Sequence, residues 1–286
     1  MNLHTFYQVA ARVLPHVPAP IAYRLCNALA HGGPWTPAWG NILANMQRVR
    51  PELGASDHHR FARGVVANLL KNYYDLLRSQ TMQAAEVAAL YHIEGLGNGA
   101  RLLAAGRGAL VVTPHTGNFS LAFEPVARQL GCRIMVVVEQ MHNPAVHRVL
   151  NGLRQRGEIE VLVADRDVVR PILRMLQSGG AVVLAQDRLV VAGRTRVQFF
   201  GRPVELPNGP ATLARRTGAP LIPVHVTRRP DNRSRIVIDP PLLSVSGPDS
   251  VQRTTQALVH ILEAYIRADP SQWVLTNNVW GAASAG

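Results

Sequence analysis

Hydrophobic positions in the first hundred residues recur at helical spacing. The clearest case is the segment 57–77, in which apolar side chains from Phe61 to Leu76 repeat every three or four residues. This spacing predicts an amphipathic helix. Further helices are predicted at residues 3–13 and 20–31. We therefore expect residues 1–95 to form a helical N-terminal region that packs on the remainder of the chain.

After residue 95 the pattern changes to short apolar runs that alternate with helical segments. Runs typical of strands occupy residues 109–112, 134–138, 161–163, 181–184, 221–226 and 236–238. Fully apolar runs of this length are typical of strands covered by helices on both faces. The sequence thus predicts an α/β fold for residues 96–286. Its mixed, mostly parallel sheet would be flanked by helices and form one compact unit with the N-terminal region.

The hydropathy of the chain does not predict a membrane-spanning segment. Hydrophobic residues make up 47% of the 286 residues, and mean hydropathy is +0.03. No uncharged apolar run approaches the roughly 18 residues of a membrane span, and no cleaved signal is recognisable. The sequence does not decide whether the extreme N-terminus packs on the protein or lies in a membrane interface. Phe6, Tyr7 and Val9 beside Arg12 also suit an interfacial membrane helix.

The charge is strongly positive, with 30 Lys and Arg against 18 Asp and Glu. A basic protein attracts anionic partners, and arginine binds phosphate in a bidentate manner. Phospholipid headgroups, a phosphopantetheine or coenzyme A donor, an acidic carrier protein and nucleic acid all fit this charge. Cys26 and Cys132 lie far apart and lack metal-site spacing, which favours a reduced cytoplasmic setting and metal-free chemistry.

A single histidine, His115, follows an apolar strand and precedes a predicted helix near Asn118. Catalytic groups of open α/β sheets occupy this position. Near neutral pH an imidazole can take a proton from an attacking hydroxyl, so His115 is a candidate general base. The alternative is a structural histidine held by hydrogen bonds, and the local context does not decide between the two.

A second set of blocks lies further along the chain. It runs through Ala185-Gln186-Asp187-Arg188, then Val197-Gln198-Phe199-Phe200-Gly201-Arg202-Pro203, then Leu206-Pro207-Asn208-Gly209-Pro210-Ala211. Together with His115, this order resembles the lysophospholipid acyltransferase superfamily. Its closest branch holds the bacterial lipid A acyltransferases and the mycobacterial phosphatidylinositol mannoside acyltransferases. The resemblance implies an acyltransferase-like fold and covers most of the chain.

One position departs from the family signature, in which Asp or Glu follows the histidine by five residues. This chain has Ser120 there. A hydroxyl can fix the imidazole tautomer, but it cannot stabilise an imidazolium as a carboxylate does. If the helix starts near Asn118, Glu124 lies one turn beyond Ser120, so a His115–Ser120–Glu124 chain is one hypothesis. Glu124 solvated at a helix start is its alternative, and Asp187 could equally supply the charge or be structural.

Other candidates would bind substrate. Backbone amides at Gly117 and Asn118, at a helix start, could hold an oxyanion. The resemblance places Arg188 and Arg202 at a headgroup site. The remaining candidates from the matched blocks are Phe200, Gly201 and Gly209. Phe199 and Phe200 would form core or acyl-pocket walls, and the two glycines would meet backbone requirements.

The resemblance implies transfer of an acyl group from an acyl carrier protein or acyl-CoA thioester to a hydroxyl or amine of a lipid or glycolipid. His115 would be the base, with no covalent acyl-enzyme and no tightly bound cofactor beyond the co-substrate thioester. The protein would be cytoplasmic, soluble or peripheral at the inner face of the cell membrane, where anionic lipid is a partner.

Two alternatives stay open at the level of sequence. The first is a soluble acyltransferase for a small metabolite, with a carrier protein or an aminoacyl-tRNA as donor. Transfer RNA as a partner has weaker support, because the arginines are scattered and aromatic residues make up only 6% of the chain. The second alternative is a non-catalytic binding protein derived from the same fold, and the missing carboxylate at Ser120 is the whole case for it.

Overall fold

The computed structural model describes residues 11–104, 106, 108–140, 143–165, 167–188, 193–242 and 247–281. Residues 11–13 are helical, and the rest of the helix predicted at 3–13 lies outside the described residues. The helices that follow in the N-terminal region are α1 (Ala19–Leu29), α2 (Trp39–Val49), α3 (Ala55–Arg78) and α4 (Ala84–Ala88). Helix α3 matches the predicted amphipathic segment 57–77, and it buries Ala62, Val65 and Leu76.

Within the described residues, seven strands form the main sheet and two form a separate antiparallel hairpin. The strands are β1 (Tyr91–Glu94), β2 (Ala109–Thr113), β3 (Ile134–Val138), β4 (Ile159–Val163), β5 (Ala181–Ala185), β6 (Arg194–Phe199), β7 (Arg202–Pro207), β8 (Leu221–Arg228) and β9 (Ser234–Ile238). The main sheet has the order β1-β9-β8-β2-β5-β3-β4, and the hairpin is β6-β7. Every neighbouring pair in the main sheet is parallel except β8 and β9. The predicted α/β class with a mostly parallel sheet is confirmed.

Helices cover both faces of the sheet because the central strands β2, β3 and β5 are apolar on both sides. The helices after β1 are α5 (Leu96–Ala104), α6 (Phe123–Leu130), α7 (Pro144–Arg154), α8 (Val169–Gln177), α9 (Gly209–Thr217) and α10 (Ser250–Ala268). One face packs on α6 and α7 through Phe123, Val126 and Leu150. The other packs on α8, α9 and α10. Successive residues of one strand therefore enter different cores, as strand geometry requires.

A third core ties the N-terminal helices to distant parts of the chain. It joins α2 and α3 to the β6-β7 hairpin, to α10 and to Trp273. The N-terminal helices thus pack on the α/β part through apolar faces. The predicted division at residue 95 remains a prediction, although β1 lies before that boundary and pairs with β9. Strand β1 is absent from the predicted strands because only four residues form it.

One helix start differs from the sequence prediction. Helix α6 begins at Phe123 with Ala122 at its N-cap, not near Asn118. Among the described residues, no helix combines the length and apolar character needed to cross a bilayer.

Candidate active site

The His115 loop, residues 114–122, leaves the end of β2 near the middle of the sheet. Strand β2 lies between β8 and β5, and its last residue, Thr113, pairs with Ala185 at the end of β5. Two residues past each strand end, the same parallel register places His115 opposite Asp187. The two side chains therefore meet although 72 residues of sequence separate them.

His115 and Asp187 form a hydrogen-bonded pair. His115 Nδ1 lies 2.7 Å from Asp187 Oδ1, and the backbone N–H of His115 donates to Asp187 Oδ2 at 2.8 Å. An ionised carboxylate only accepts hydrogen bonds, so Nδ1 carries the proton and Nε2 is left as an acceptor. Among the described residues no hydrogen bond engages Nε2, and the His115 side chain is 24% exposed.

Asp187 is fully buried yet remains suited to carry a negative charge. Burial alone would raise the pKa of its carboxyl. The positive charge that His115 carries when it is protonated, together with hydrogen bonds from His115 and Trp273, outweighs that effect and holds the pKa of Asp187 below its usual value. The Trp273 indole Nε1 donates to Oδ2 at 2.8 Å. An ionised, oriented carboxylate can stabilise an imidazolium that forms beside it.

The loop backbone is fixed against the C-terminal segment and β8. The Gly117 N–H donates to the carbonyl of Gln272 at 2.9 Å, and the Val274 N–H donates to the carbonyl of His115 at 2.9 Å. Gly117 has φ +55°, and a Cβ there would lie 2.4 Å from the carbonyl oxygen of Val226. Glycine is therefore required at this position by both conformation and space.

A buried polar network holds the other side of the loop. Asp75 on α3 accepts from Tyr23 at 2.7 Å, from Asn118 Nδ2 at 2.9 Å and from Arg228 at 2.7 Å. Asn72 Nδ2 donates to the carbonyl of Gly117 at 2.6 Å. Desolvation raises the pKa of Asp75, and the Arg228 guanidinium opposes that shift. This network links α1 and α3 to the loop that carries His115.

His115 lines a cavity of about 610 Å³. Such a volume falls within the roughly 300–1,000 Å³ of small-ligand sites. Its walls are mainly apolar, drawn from the sheet and from the helices that cover one face. They include Leu69, Tyr73, Phe119, Phe123, Val136, Val138, Val146, Ile159 and Val183. Ser120 and Glu124 also line it. The arrangement places the His115 imidazole, with an Nε2 that no described residue engages, beside a mainly apolar cavity.

The structure corrects the proposed His115–Ser120–Glu124 chain. Ser120 precedes α6, so it does not share a helix face with Glu124. Glu124 Oε2 accepts from Arg156 Nε at 2.9 Å, and Arg156 also donates to the carbonyl of Ser79 at 2.6 Å. Glu124 thus belongs to a structural ion pair. The hydrogen bond of His115 goes to Asp187, which was one of the two roles left open for that residue.

The structure corrects the oxyanion hypothesis at Gly117. The Gly117 N–H already donates to the carbonyl of Gln272, and both Gly117 and Asn118 precede the helix by several positions. The side-chain amide of Asn118 donates to Asp75, and the Asn118 carbonyl accepts from Tyr91 at 2.9 Å. Neither residue lines the cavity. An oxyanion role for the backbone N–H of Asn118 stays a prediction.

The second motif block lies away from the cavity. Phe200 and Gly201 are the two central residues of the β6-β7 turn, with φ +50° and +71°, as a tight hairpin turn requires. Arg202 begins β7 and is exposed, and Gly209 begins α9. None of these four residues lines the cavity, and their contacts with substrate stay a prediction. Phe199 is fully buried and packs edge-on against Trp273, with ring centroids 6.0 Å apart.

Arg188 does reach the cavity wall, at the end of β5. Its guanidinium forms an ion pair with Glu139, which follows β3 and lines the same cavity. Desolvation lowers the pKa of Arg188. The predicted headgroup arginine is therefore close to His115, and a carboxylate within the protein already accompanies it.

Sequence reasoning assigned no role to several residues that shape the site. These are Asn72, Asp75, Arg228, Gln272 and Trp273. The signals available were polar residues on the apolar side of α3 and the Pro270-Ser271-Gln272-Trp273 block near the C-terminus. A buried polar residue on an amphipathic helix requires a partner, and that requirement could have pointed to the network.

A histidine–carboxylate pair at the end of parallel strands, beside a cavity, is an arrangement found in hydrolases and transferases. Comparisons with known proteins identify the class. The family of bacterial lipid A biosynthesis acyltransferases matches residues 3–281. The chain belongs to this family and is an acyltransferase.

Relatives place it within the branch that the sequence resembled. A phosphatidylinositol mannoside acyltransferase of Mycolicibacterium smegmatis is 27% identical over 256 residues, covering 88% of this chain and 81% of that protein. A protein of the same name from Mycobacterium tuberculosis strain CDC 1551 is 30% identical over 255 residues, covering 87% of this chain and 78% of the relative. The resemblance to the lipid A and phosphatidylinositol mannoside acyltransferase branch is confirmed.

Proposed function

We propose that this acyltransferase moves an acyl group from a thioester of acyl carrier protein or coenzyme A to a hydroxyl or amine of a lipid or glycolipid. The observation that carries the proposal is the 2.7 Å contact between His115 Nδ1 and Asp187 Oδ1 beside the apolar cavity. The cavity would hold the acyl chain. The relatives' names support a glycolipid acceptor.

In this mechanism, His115 Nε2 takes the proton of the acceptor hydroxyl or amine. The acceptor oxygen or nitrogen attacks the thioester carbonyl carbon, and the tetrahedral intermediate then expels the thiolate, which takes the proton from Nε2. Asp187 stays ionised and stabilises the imidazolium between these two steps. No bond forms between the acyl group and the protein.

The test is acyl transfer from palmitoyl-CoA and palmitoyl carrier protein to a mannosylated phosphatidylinositol, followed by mass spectrometry. His115→Ala should lower kcat/KM by about 10³-fold or more, because the base is lost. If the alanine variant does not fold, His115→Asn replaces it in the test, because asparagine keeps a hydrogen-bond donor for Asp187. The control is His92→Ala, which removes an exposed imidazole. Unchanged transfer in folded His115 variants would refute the role of the base.

An exposed apolar surface supports a lipid acceptor over a small soluble metabolite. We call it the N-terminal apolar surface. Its members are large hydrophobic side chains that are 52–86% exposed: Val13, Ile21, Leu25, Leu29 and Trp35. Three of them follow one another at four-residue spacing on α1, and Arg12, Arg24 and His31 are exposed among them. Apolar side chains with neighbouring cations are typical of a surface that binds anionic lipid.

Sedimentation with phosphatidylglycerol vesicles tests this surface. Leu25→Asp should weaken vesicle binding by about tenfold or more, since an apolar side chain no longer enters the interface. Val169→Asp is the matched control, because Val169 is an exposed apolar residue elsewhere in the fold, at 37%. Equal loss in both variants, or none in either, would contradict membrane binding through this surface. Turnover of a water-soluble acceptor alone would favour the metabolite alternative.

A further inference from the structure

The charged side chains that line the cavity are paired, with one exception among the described residues. Three pairs account for the others: His115 with Asp187, Glu124 with Arg156, and Glu139 with Arg188. The exception is Arg154, the last residue of α7. In the part of the chain that the structure describes, no carboxylate lies within ion-pair distance of its guanidinium.

The surroundings of Arg154 favour an anionic partner. Its Nη1 donates to Asn151 Oδ1 at 3.1 Å, one turn back on the same helix. Tyr73 lines the cavity near it, and the neighbouring walls are apolar. The Arg154 side chain is partly buried, and desolvation lowers the pKa of its guanidinium. A partly desolvated cation without a counter-charge costs free energy, which an anionic ligand would offset.

The position five residues after His115 adds no negative charge to this cavity. Ser120 lines the cavity, and its hydroxyl is neutral. The acids that do line it, Glu124 and Glu139, are committed to Arg156 and Arg188. The cavity therefore combines apolar walls with one positive charge that the described protein groups leave uncompensated.

We propose that Arg154 binds an anionic oxygen group, a carboxylate or a phosphate, of a ligand whose alkyl chain lies in the cavity. This inference rests on the proposed function, in which the cavity holds an acyl chain. A guanidinium has five N–H donors in a fork that matches such oxygens, and Asn151 occupies only one side of it. The ligand class is an anionic amphiphile.

Isothermal titration tests the proposal, with decyl phosphate below its micelle concentration and decanol below its solubility limit. The wild type should bind decyl phosphate about tenfold or more tightly than decanol, since a charge-assisted hydrogen bond is gained. Arg154→Met should abolish this preference, and Arg154→Lys should keep part of it. Arg128→Met removes an exposed arginine outside the cavity and is the matched control.

Inorganic phosphate alone separates a bound headgroup from a free anion. It should bind at least about tenfold more weakly than decyl phosphate, because it gains no apolar burial. Binding as tight as that of decyl phosphate would overturn the assignment to an amphiphile.

The two proposals can fail separately. If the wild type binds decanol and decyl phosphate equally, or if Arg154→Met keeps the preference, the role of Arg154 is overturned while the acyl cavity stands. If neither compound binds, the acyl cavity fails, and the inference on Arg154 fails with it. The His115 transfer assay reports on the catalytic pair independently of either result.

Discussion

The His115 loop and the Phe200 turn are the two regions whose sequences most resemble the family, and the fold uses them differently. The loop lines the cavity and presents an imidazole that is 24% exposed. The turn closes the β6-β7 hairpin, and Phe199 before it is fully buried in the core that holds the N-terminal helices. One region is placed to carry chemistry, whereas the other holds elements together.

Trp273 connects the two regions. Phe199 packs against its ring, and its indole N–H donates to Asp187, which in turn holds His115. The hairpin therefore supports the His115–Asp187 pair through one aromatic side chain, and its turn residues do not line the cavity. A motif can mark a family without each of its residues lying in the active site.

Asp187→Asn should have the largest effect on activity. It tests whether the His115 loop is the region that carries chemistry. Asparagine keeps the size of the side chain but removes the charge that stabilises an imidazolium. We expect kcat/KM to fall by about 10³- to 10⁴-fold with the fold retained. Steady-state assays of acyl transfer measure kcat/KM, and circular dichroism measures whether the fold is retained. Activity within tenfold of the wild type would exclude Asp187 as the partner of the base.

The lowered pKa of Asp187 also predicts how the stability of the folded protein depends on pH, and Asp187→Asn tests this. Because the folded-state pKa of Asp187 lies below its usual value, its charge stabilises the folded protein above about pH 4. That contribution is lost as the pH falls through the folded-state pKa. Urea unfolding between about pH 6 and pH 3 should show wild-type stability falling relative to Asp187→Asn. A constant difference over this range would contradict the direction of the shift.

Phe199→Ala tests the hairpin side and should act mainly on stability. Removing a fully buried phenyl ring should lower the free energy of unfolding by about 3–5 kcal/mol. Activity per folded molecule should fall much less than in Asp187→Asn, since Trp273 keeps its hydrogen bond to the carboxylate. Phe61→Ala, at a partly buried ring on α3, is the control and should cost less. A loss of activity as large as that of Asp187→Asn would erase the distinction between the regions.

Arg202→Ala should have the smallest effect. Arg202 is exposed, lies outside the cavity and forms no ion pair with the described residues. We expect kcat/KM within about twofold of the wild type and Tm within about 2 °C, as for most surface substitutions. A rise in KM for the donor or the acceptor would restore the headgroup role that the sequence suggested for this arginine.

The sequence predicted the sheet well because its strands are short apolar runs that local patterning reveals. The strands at β2, β3, β5 and β8 fall within a few residues of the predicted runs. Strand β1 was missed, since four residues give little periodicity. The start of α6 was placed too early, because the loop after His115 is held by Asn72, Gln272 and Asp75 rather than by helical hydrogen bonds.

The amino-acid sequence by itself determined the α/β class, the family and His115 as the candidate base, since each rests on local pattern or on motif order. Only the tertiary structure decided which carboxylate lies beside that histidine. Glu124 is nine residues from His115 and is paired with Arg156, whereas Asp187 is 72 residues away and bonded to the imidazole. The physical reason is strand order: β2 and β5 are neighbours in parallel register, so residues beyond their ends meet. The linear sequence does not state which strands will be neighbours in the sheet.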